Sequence, residues 1–446
     1  MENRCASLSL HRKLNKRITK EFSLNNTTLF DAAYANRKRP LLEKVIEQIR
    51  PIYTAEELAA LRIDPINRGI LSQRSGRGFV NRDLLETVLG NMLECVAPGS
   101  HNASQAAQAT LTENIEEIAD QLYAMIYQSL QAAQDENGPI EDVALQSAFA
   151  LISRLPQLKT RALWNRFASL KDPAVWDAYS RKIHNLDDSD LAAFAFAPVI
   201  DKAIEARDFD LYEAFLAEKG LQSVFAYQMQ LVASAYPGWR VLFYHDIANA
   251  LTQTGVVENF NCTPIPLLPR AISELGGRYY QADLHPETTI ADANFLEHPH
   301  RGLTTGQTGI IGYGCIIYPC TLGGLTGRAR QRHPTIGNFV RIGTDATLLG
   351  PVVIGDRSTI GSGTDIYGFV ETGTDCQIAS SVVLGTVRSG SRDPGKIILG
   401  DHVRVGDGTI VENSTELDLI IPEKSEIPAR SHIVNDGFGN PKYARE

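Results

Sequence analysis

The sequence is poor in the features that would commit it to several common functions. Positive charge is not in excess: 43 Lys and Arg stand against 52 Asp and Glu, a formal net charge of -9, which removes any general attraction to nucleic acid or anionic lipid. Long apolar runs are missing too. The best candidate, Leu191 to Ile200, is far below the roughly 18 residues needed to cross a bilayer and contains a proline, so no membrane span is expected. Behind Arg4, His11, Arg12, Lys13, Lys16, Arg17 and Lys20 there is no apolar segment. That stretch reads as a solvated basic helix face, with a transit peptide as the lesser alternative, and does not read as a secretory signal. Cysteine is scarce: Cys5, Cys95, Cys262, Cys315, Cys320 and Cys376 lie apart without zinc-site spacing. This suggests a reducing, cytoplasmic setting rather than a disulfide framework, and no metal is expected.

What is present is enough apolar sequence for two or three structural units, 43% of 446 residues. The first half carries helical periodicity. From Ala55 to Leu61, Arg82 to Leu93, Glu113 to Ala132, Glu141 to Leu155 and Leu191 to Ala217, apolar residues recur at three- and four-residue spacing. Pro98-Gly99-Ser100, Asn137-Gly138-Pro139 and Pro237-Gly238 punctuate the pattern.

After Pro286 the period changes. Ile336, Ile342, Leu348, Ile354, Ile360 and Ile366 stand six residues apart, and Gly337, Gly343, Gly355 and Gly361 directly follow four of them. A period of six is neither 3.6 nor 2, and it fits a solenoid whose coil has three flat sides of one short strand each. The aliphatic residue points inward, the small residue after it lets the chain bend, and Ala346, Ser358 and Thr364 fill the remaining interior position. Ile311-Gly312 and Ile317 carry the register upstream, and Leu399-Gly400, Val405-Gly406 and Val411 carry it downstream. The fold expected is therefore an α + β-solenoid, an all-helical N-terminal region followed by a left-handed parallel β-helix of hexapeptide repeats. Gly323 to Pro334 reads as an extruded loop replacing one regular side, and Val387 to Lys396 as a similar interruption. Cys315 and Cys320 fall at inward positions and read as core thiols.

Four of the ten histidines open the solenoid: His285, His298, His300 and His333. They belong to Asp283-Leu284-His285-Pro286, Leu296-Glu297-His298, Thr321-Leu322-Gly323-Gly324 and Arg332-His333-Pro334. In this order the segments resemble the serine acetyltransferase family, whose pattern runs D-[IV]-H-P, L-D-H-x-T-G, T-L-G-G and R-H-P before a run of hexapeptides. Lys219-Gly220-Leu221, Ala226-Tyr227 and Arg207-Asp208 resemble further family features, so the likeness covers about residues 200 to 378.

The resemblance implies transfer of an acetyl group from acetyl-CoA to the hydroxyl of L-serine, giving O-acetylserine for cysteine synthesis. It makes His298 the general base and Asp283, 298 − 283 = 15 residues earlier, the carboxylate that orients it. The physical need is general: a hydroxyl is a poor nucleophile near pH 7 unless a base lies within hydrogen-bond reach. By the same resemblance Arg332 and His333 meet the carboxylate of the amino acid, while Glu297 and Asp208 face its amine. The acetyl-CoA residues implied are Gly323, Gly343, Thr344, Ala346 and Arg357; the basic triplet Arg328, Arg330 and Arg332 reads either as a solvated loop or, beside such a site, as a phosphate contact. Partners implied are a second and third copy in a homotrimer, two trimers paired, and a cysteine synthase.

The chain departs from the pattern in places. His298 to Gly302 is one residue longer than H-A-T-G, so His300 competes with His298 for the base role. Gln307 replaces a glutamate and Glu297 an aspartate, which leaves open another small hydroxylated acceptor. Two further readings stand beside these. A zinc hydratase resembling the γ-carbonic anhydrases needs an H-x4-H pair, which this chain lacks; a non-catalytic scaffold would lose nothing with His298. The expected units are 1-150, a helical extension; 151-276, a helical domain; 277-430, the β-helix; and 431-446, a tail.

Overall fold

The structure, a computed structural model, describes residues 30, 32–64, 82–99, 110–133, 140–176, 196–222, 224–253, 265–325, 331–386 and 395–444. The basic segment from Arg4 to Lys20, the Asn137-Gly138-Pro139 boundary, and Arg328 and Arg330 lie outside the described residues. Two compact units result: Met1–Pro156 with Ala250–Leu268, and Gln157–Asn249 with Pro269–Glu446. The segment Ala250–Leu268, placed by sequence within 151-276, thus groups with the first unit.

In the first unit, helices Ala32–Ile49, Arg82–Val96, Leu111–Ala133 and Ile140–Ile152 pack around Val88, Leu89, Met92, Ile115, Ile118 and Leu122, all fully buried, while the short second helix, Ala55–Ala60, buries no residue. Thr54 and Glu57 form a reciprocal cap at the start of the short second helix. Lys38, Asp120 and Tyr34 make a buried polar knot, with Lys38 Nζ 2.9 Å and Tyr34 Oη 2.5 Å from Asp120 Oδ1. Among the described residues no helix is long and apolar enough to cross a membrane.

The second unit carries the solenoid. Its coils run through three sheets, here called faces 1, 2 and 3, of nine, seven and seven strands, all parallel except the last strand of face 1. Face 1 opens with Ala282–Asp283 paired to Leu303–Thr305, face 2 with Thr289–Ile290 paired to Ile310–Ile311, and face 3 with Phe295–Leu296 paired to Ile316–Ile317. The six-residue register is observed: Ile336, Ile342, Leu348, Ile354, Ile360 and Ile366 are each at most 1% exposed, as are Ala346, Ser358 and Thr364. Cys315 and Cys320 are buried among them, and burial pushes each thiol up to about 12.

Three expectations change. Strands Thr321–Gly323 and Thr335–Ile336 occupy consecutive faces 1 and 2, so the Gly323 to Pro334 stretch is added at the corner between them and replaces no side. The second interruption lies at the same corner, between Val383–Thr386 and Ile397–Leu399. The 431-446 tail contributes an eighth parallel strand to face 1, His432–Asn435. Pro441–Tyr443 then turns back antiparallel to it and covers the free edge. The helix expected over 191–217 is two helices, Phe196–Ala206 and Asp210–Glu218, because Arg207 takes a left-handed conformation (φ 56).

Helices of this unit close the opposite end. Val241 and Leu242, from helix Gly238–Gln253, belong to the solenoid's own apolar core. Gly238 permits that approach, since a Cβ there would overlap the carbonyl oxygen of Leu296. Arg161 grips Asp246 with two hydrogen bonds, 3.0 and 2.7 Å, and reaches the Ile290 carbonyl at 2.9 Å. Buried Lys171 donates to the Gly314 carbonyl at 2.7 Å, and Asn165 Oδ1 accepts from Asn294 N–H at 3.1 Å. These links hold the first two coils, the first of which carries Asp283, Glu297 and His298.

Candidate functional site

Alternation along the first strand of face 1 turns Ala282 and Leu284 inward, so the Asp283 side chain points out of the prism and is 49% exposed. His298 follows the first strand of face 3 and also stands outside, with its side chain 60% exposed. It is left-handed (φ 48) and opens a single 3-10 turn, Pro299–Arg301, that absorbs the extra residue. Non-glycine residues rarely adopt this region, which marks the position as held by its surroundings.

The expected hydrogen bond between Asp283 and His298 is not formed. Asp283 Oδ1 accepts from Arg270 Nη1 at 3.1 Å, on helix Leu268–Tyr280, while His298 Nε2 lies 3.5 Å from Glu297 Oε1. The His300 ring is edge-on to His298 at 5.8 Å. Glu297 also bonds the Tyr318 hydroxyl, which Arg341 Nη2 reaches at 3.1 Å; burial first, then Glu297, raises that phenol's pKa. No sequence motif singles out Tyr318 and Arg341. Their signal is the strand register that puts Ile316 beside Arg341 on face 3.

Arg332 and His333 stand at the other edge of face 1, the corner between faces 1 and 2. His333 is 7% exposed, and its Nδ1 meets Thr308 N at 3.2 Å and Thr308 Oγ1 at 2.9 Å. Burial, and then the Arg332 and His285 charges, lower its pKa. Its ring lies against Gly306, where any Cβ would overlap it, and Nε2 would be 2.9 Å from a Cβ on Gly324. Arg332 Nη2 donates to Gln307 Oε1 at 3.3 Å, and Gln307 Nε2 donates to Glu287 Oε2 at 2.5 Å. His285 is half-buried beside them; burial lowers its pKa against the opposing Glu287 carboxylate, and its Nδ1 accepts from Glu287 N–H at 3.2 Å.

The remaining candidates scatter. Asp208 accepts from Asp210 N–H at 2.9 Å at the start of helix Asp210–Glu218. Its neighbour Arg207 binds Asp292 at the corner of faces 2 and 3, so Asp208 is not brought to either edge of face 1. Gly343, Thr344 and Ala346 follow the face 3 strand Arg341–Ile342, on the same corner as His298; the Ala346 side chain is interior and leaves only backbone outside. Gly323 ends a face 1 strand. Arg357, with Nε 3.2 Å from Asp375 Oδ1, lies between faces 2 and 3 and does not join them. The reason is arithmetic: 357 − 343 = 14 residues is about two sides of six, whereas returning to one edge takes three.

Parallel coils with this six-residue register define a hexapeptide-repeat β-helix protein, and the family described as bacterial transferase hexapeptide (six repeats) matches residues 333–364. A serine acetyltransferase of Synechococcus elongatus is 31% identical over 175 residues, 39% of this chain and 62% of that protein. A serine acetyltransferase of Helicobacter pylori is 33% identical over 141 residues, 31% of this chain and 76% of that protein. The chain belongs to the serine acetyltransferase family, although it spans less than two thirds of the length of the Synechococcus relative. A crystal structure of Entamoeba histolytica serine acetyltransferase isoform 3 in complex with cysteine is also similar. It is 18% identical, with a TM-score of 0.44 over 78% of this chain and 92% of that one.

Proposed function

We propose that this chain transfers an acetyl group from acetyl-CoA to the hydroxyl of L-serine, giving O-acetylserine for cysteine synthesis. One observation carries the reading: the outward imidazole of His298 with Glu297 on one edge of face 1, and Arg332 with His333 on the other. A groove where the first edge of one copy meets the second edge of another joins a base to a carboxylate-binding pair, which favours a homotrimer as the working form. A pairing of two trimers and docking to a cysteine synthase are expectations carried by the family.

In this mechanism His298 takes the serine hydroxyl proton as the oxygen attacks the thioester carbonyl carbon. The carbon–sulfur bond then breaks, and the imidazolium returns the proton to the departing thiolate. Backbone N–H groups of the groove stabilise the oxyanion. Asp283 orients the imidazole by exchanging Arg270 for a His298 ring nitrogen, which the exposure of both side chains permits. Acetyl-CoA lies along the edge that His298 shares with Gly343, Thr344 and the Ala346 backbone. The Glu297 and Gln307 replacements favour a second reading in which the acceptor is another small hydroxylated amino acid.

Thiol release from acetyl-CoA is measured alone and with serine, homoserine or threonine. The proposal expects release that depends on serine above the others. A preference for homoserine or threonine supports the second reading, and a rate indifferent to all three refutes both.

A further inference from the structure

The partners of His333 are arranged in a way that decides its chemistry. Thr308 N–H points at Nδ1 from 3.2 Å, and a backbone N–H can only donate, so Nδ1 must be the accepting nitrogen. The Thr308 hydroxyl accepts from the backbone N–H groups of Arg332 at 3.1 Å and His333 at 3.2 Å. With both lone pairs engaged, its one hydrogen is left for Nδ1, 2.9 Å away. The proton of the neutral ring therefore sits on Nε2, which has no partner among the described residues and lies in the gap between Gly306 and Gly324. A second proton on Nδ1 would face two donors, in keeping with the lowered pKa of this histidine.

The neighbouring residue does similar work on Arg332. Gln307 is anchored through Nε2 on Glu287 and accepts from Arg332 through Oε1, so it restrains the guanidinium without neutralising it. A carboxylate at 307 would pair with the arginine and repel Glu287.

We propose that the dipeptide Gln307-Thr308 is a positioning element that presets a clamp of one charge and one neutral donor: Arg332 as cation, and His333 as a fixed Nε2–H. Such a clamp matches the α-carboxylate of an amino acid, a monoanion, better than a phosphate dianion. This deepens the proposed function, on which the carboxylate role of the clamp rests.

The test pairs a spectroscopic and a kinetic reading on the full-length protein. Nitrogen NMR of histidine-labelled protein, with His333 assigned by its loss in His333→Asn, is expected to show the proton on Nε2. A proton on Nδ1, or a charged ring near pH 7, overturns the inference whether or not the protein has activity. Thr308→Val is expected to raise KM for serine by about tenfold, with KM for acetyl-CoA unchanged, and Thr308→Ser to restore it. Gln307→Met is expected to act in the same direction. If wild-type protein acetylates serine and neither Thr308→Val nor Gln307→Met moves that KM, the inference fails while the proposed function stands. If wild-type protein leaves serine untouched, the function fails and the ring's tautomer still decides the positioning of His333.

Discussion

Replacing Arg161 by Met isolates the contact that ties the helices of the second unit to the first coil. The guanidinium makes two hydrogen bonds to Asp246, whose side chain is 7% exposed, and a third to the Ile290 carbonyl. Removing one partner of a buried pair costs about 3–5 kcal/mol, because it strands the other charge. Burial pushes the Asp246 carboxyl up, but the charge and hydrogen bonds of Arg161, with His245, outweigh it and hold the carboxyl below its ordinary value. A depressed carboxyl stabilises the fold above its unfolded pKa and loses that contribution as pH falls through the folded value. In Arg161→Met only His245 is left to oppose burial, so the pKa rises and the variant is penalised most at high pH. The gap between the two proteins should therefore narrow from pH 7 to pH 5. All three tryptophans, Trp164, Trp176 and Trp239, belong to this unit, so urea unfolding followed by tryptophan fluorescence reports on it. With a slope of about 3 kcal/mol/M, the midpoint at pH 7 should fall by about 1–1.7 M. A shift under about 0.3 M, or a gap that does not change with pH, refutes the reasoning.

Three other outcomes follow from the same geometry. His298→Ala should lower kcat for serine-dependent thiol release by about 10²–10⁴-fold, and His300→Ala by far less; equal losses would mean that the base is not resolved between them. Gly306→Ala, whose Cβ overlaps the His333 ring, should raise KM for serine at least as much as Thr308→Val in initial-rate assays, and an unchanged KM would contradict the ring placement. Alkylation mapped by mass spectrometry at pH 8 should leave Cys315 and Cys320 unmodified in folded protein and label both in urea, since burial pushes their thiols up to about 12.

The solenoid was legible because one inward side chain recurs every six residues and every coil repeats the same burial. What the pattern hid were the corners. An insertion between Gly323 and Pro334 lengthens the chain without consuming a side, so counting residues across it misassigns the faces. The family resemblance groups Arg357 with Gly343, yet three sides, not two, return to one edge, and Arg357 stands on a different corner. The ordered histidine motifs were readable as a list, and so was the distance from Asp283 to His298. Their contact was not, because Asp283 is taken by Arg270 from a helix whose placement depends on tertiary packing. Thr308 escaped notice for a related reason: 333 − 308 = 25 residues hides the fact that it lies under His333 on the preceding coil. Arg207 gave no sign of ending a helix, since its left-handed backbone answers to Asp292 and to the Trp164 and Tyr313 rings rather than to a glycine.

The division of the site across face 1 carries a consequence for assembly. Each coil of a three-sided prism offers an edge only once, and the parallel register of face 1 keeps His298 and His333 on opposite edges of it. Bending the chain cannot bring the edges together, because face 1 is held by ladder hydrogen bonds from its first strand to its last. Under the proposed function, serine would meet the base on one copy and the clamp on another. The proposed homotrimer would set one edge of each prism against the other edge of its neighbour, building three equivalent grooves. On this argument a monomeric form of the chain retains the clamp and the base but cannot apply them to one molecule.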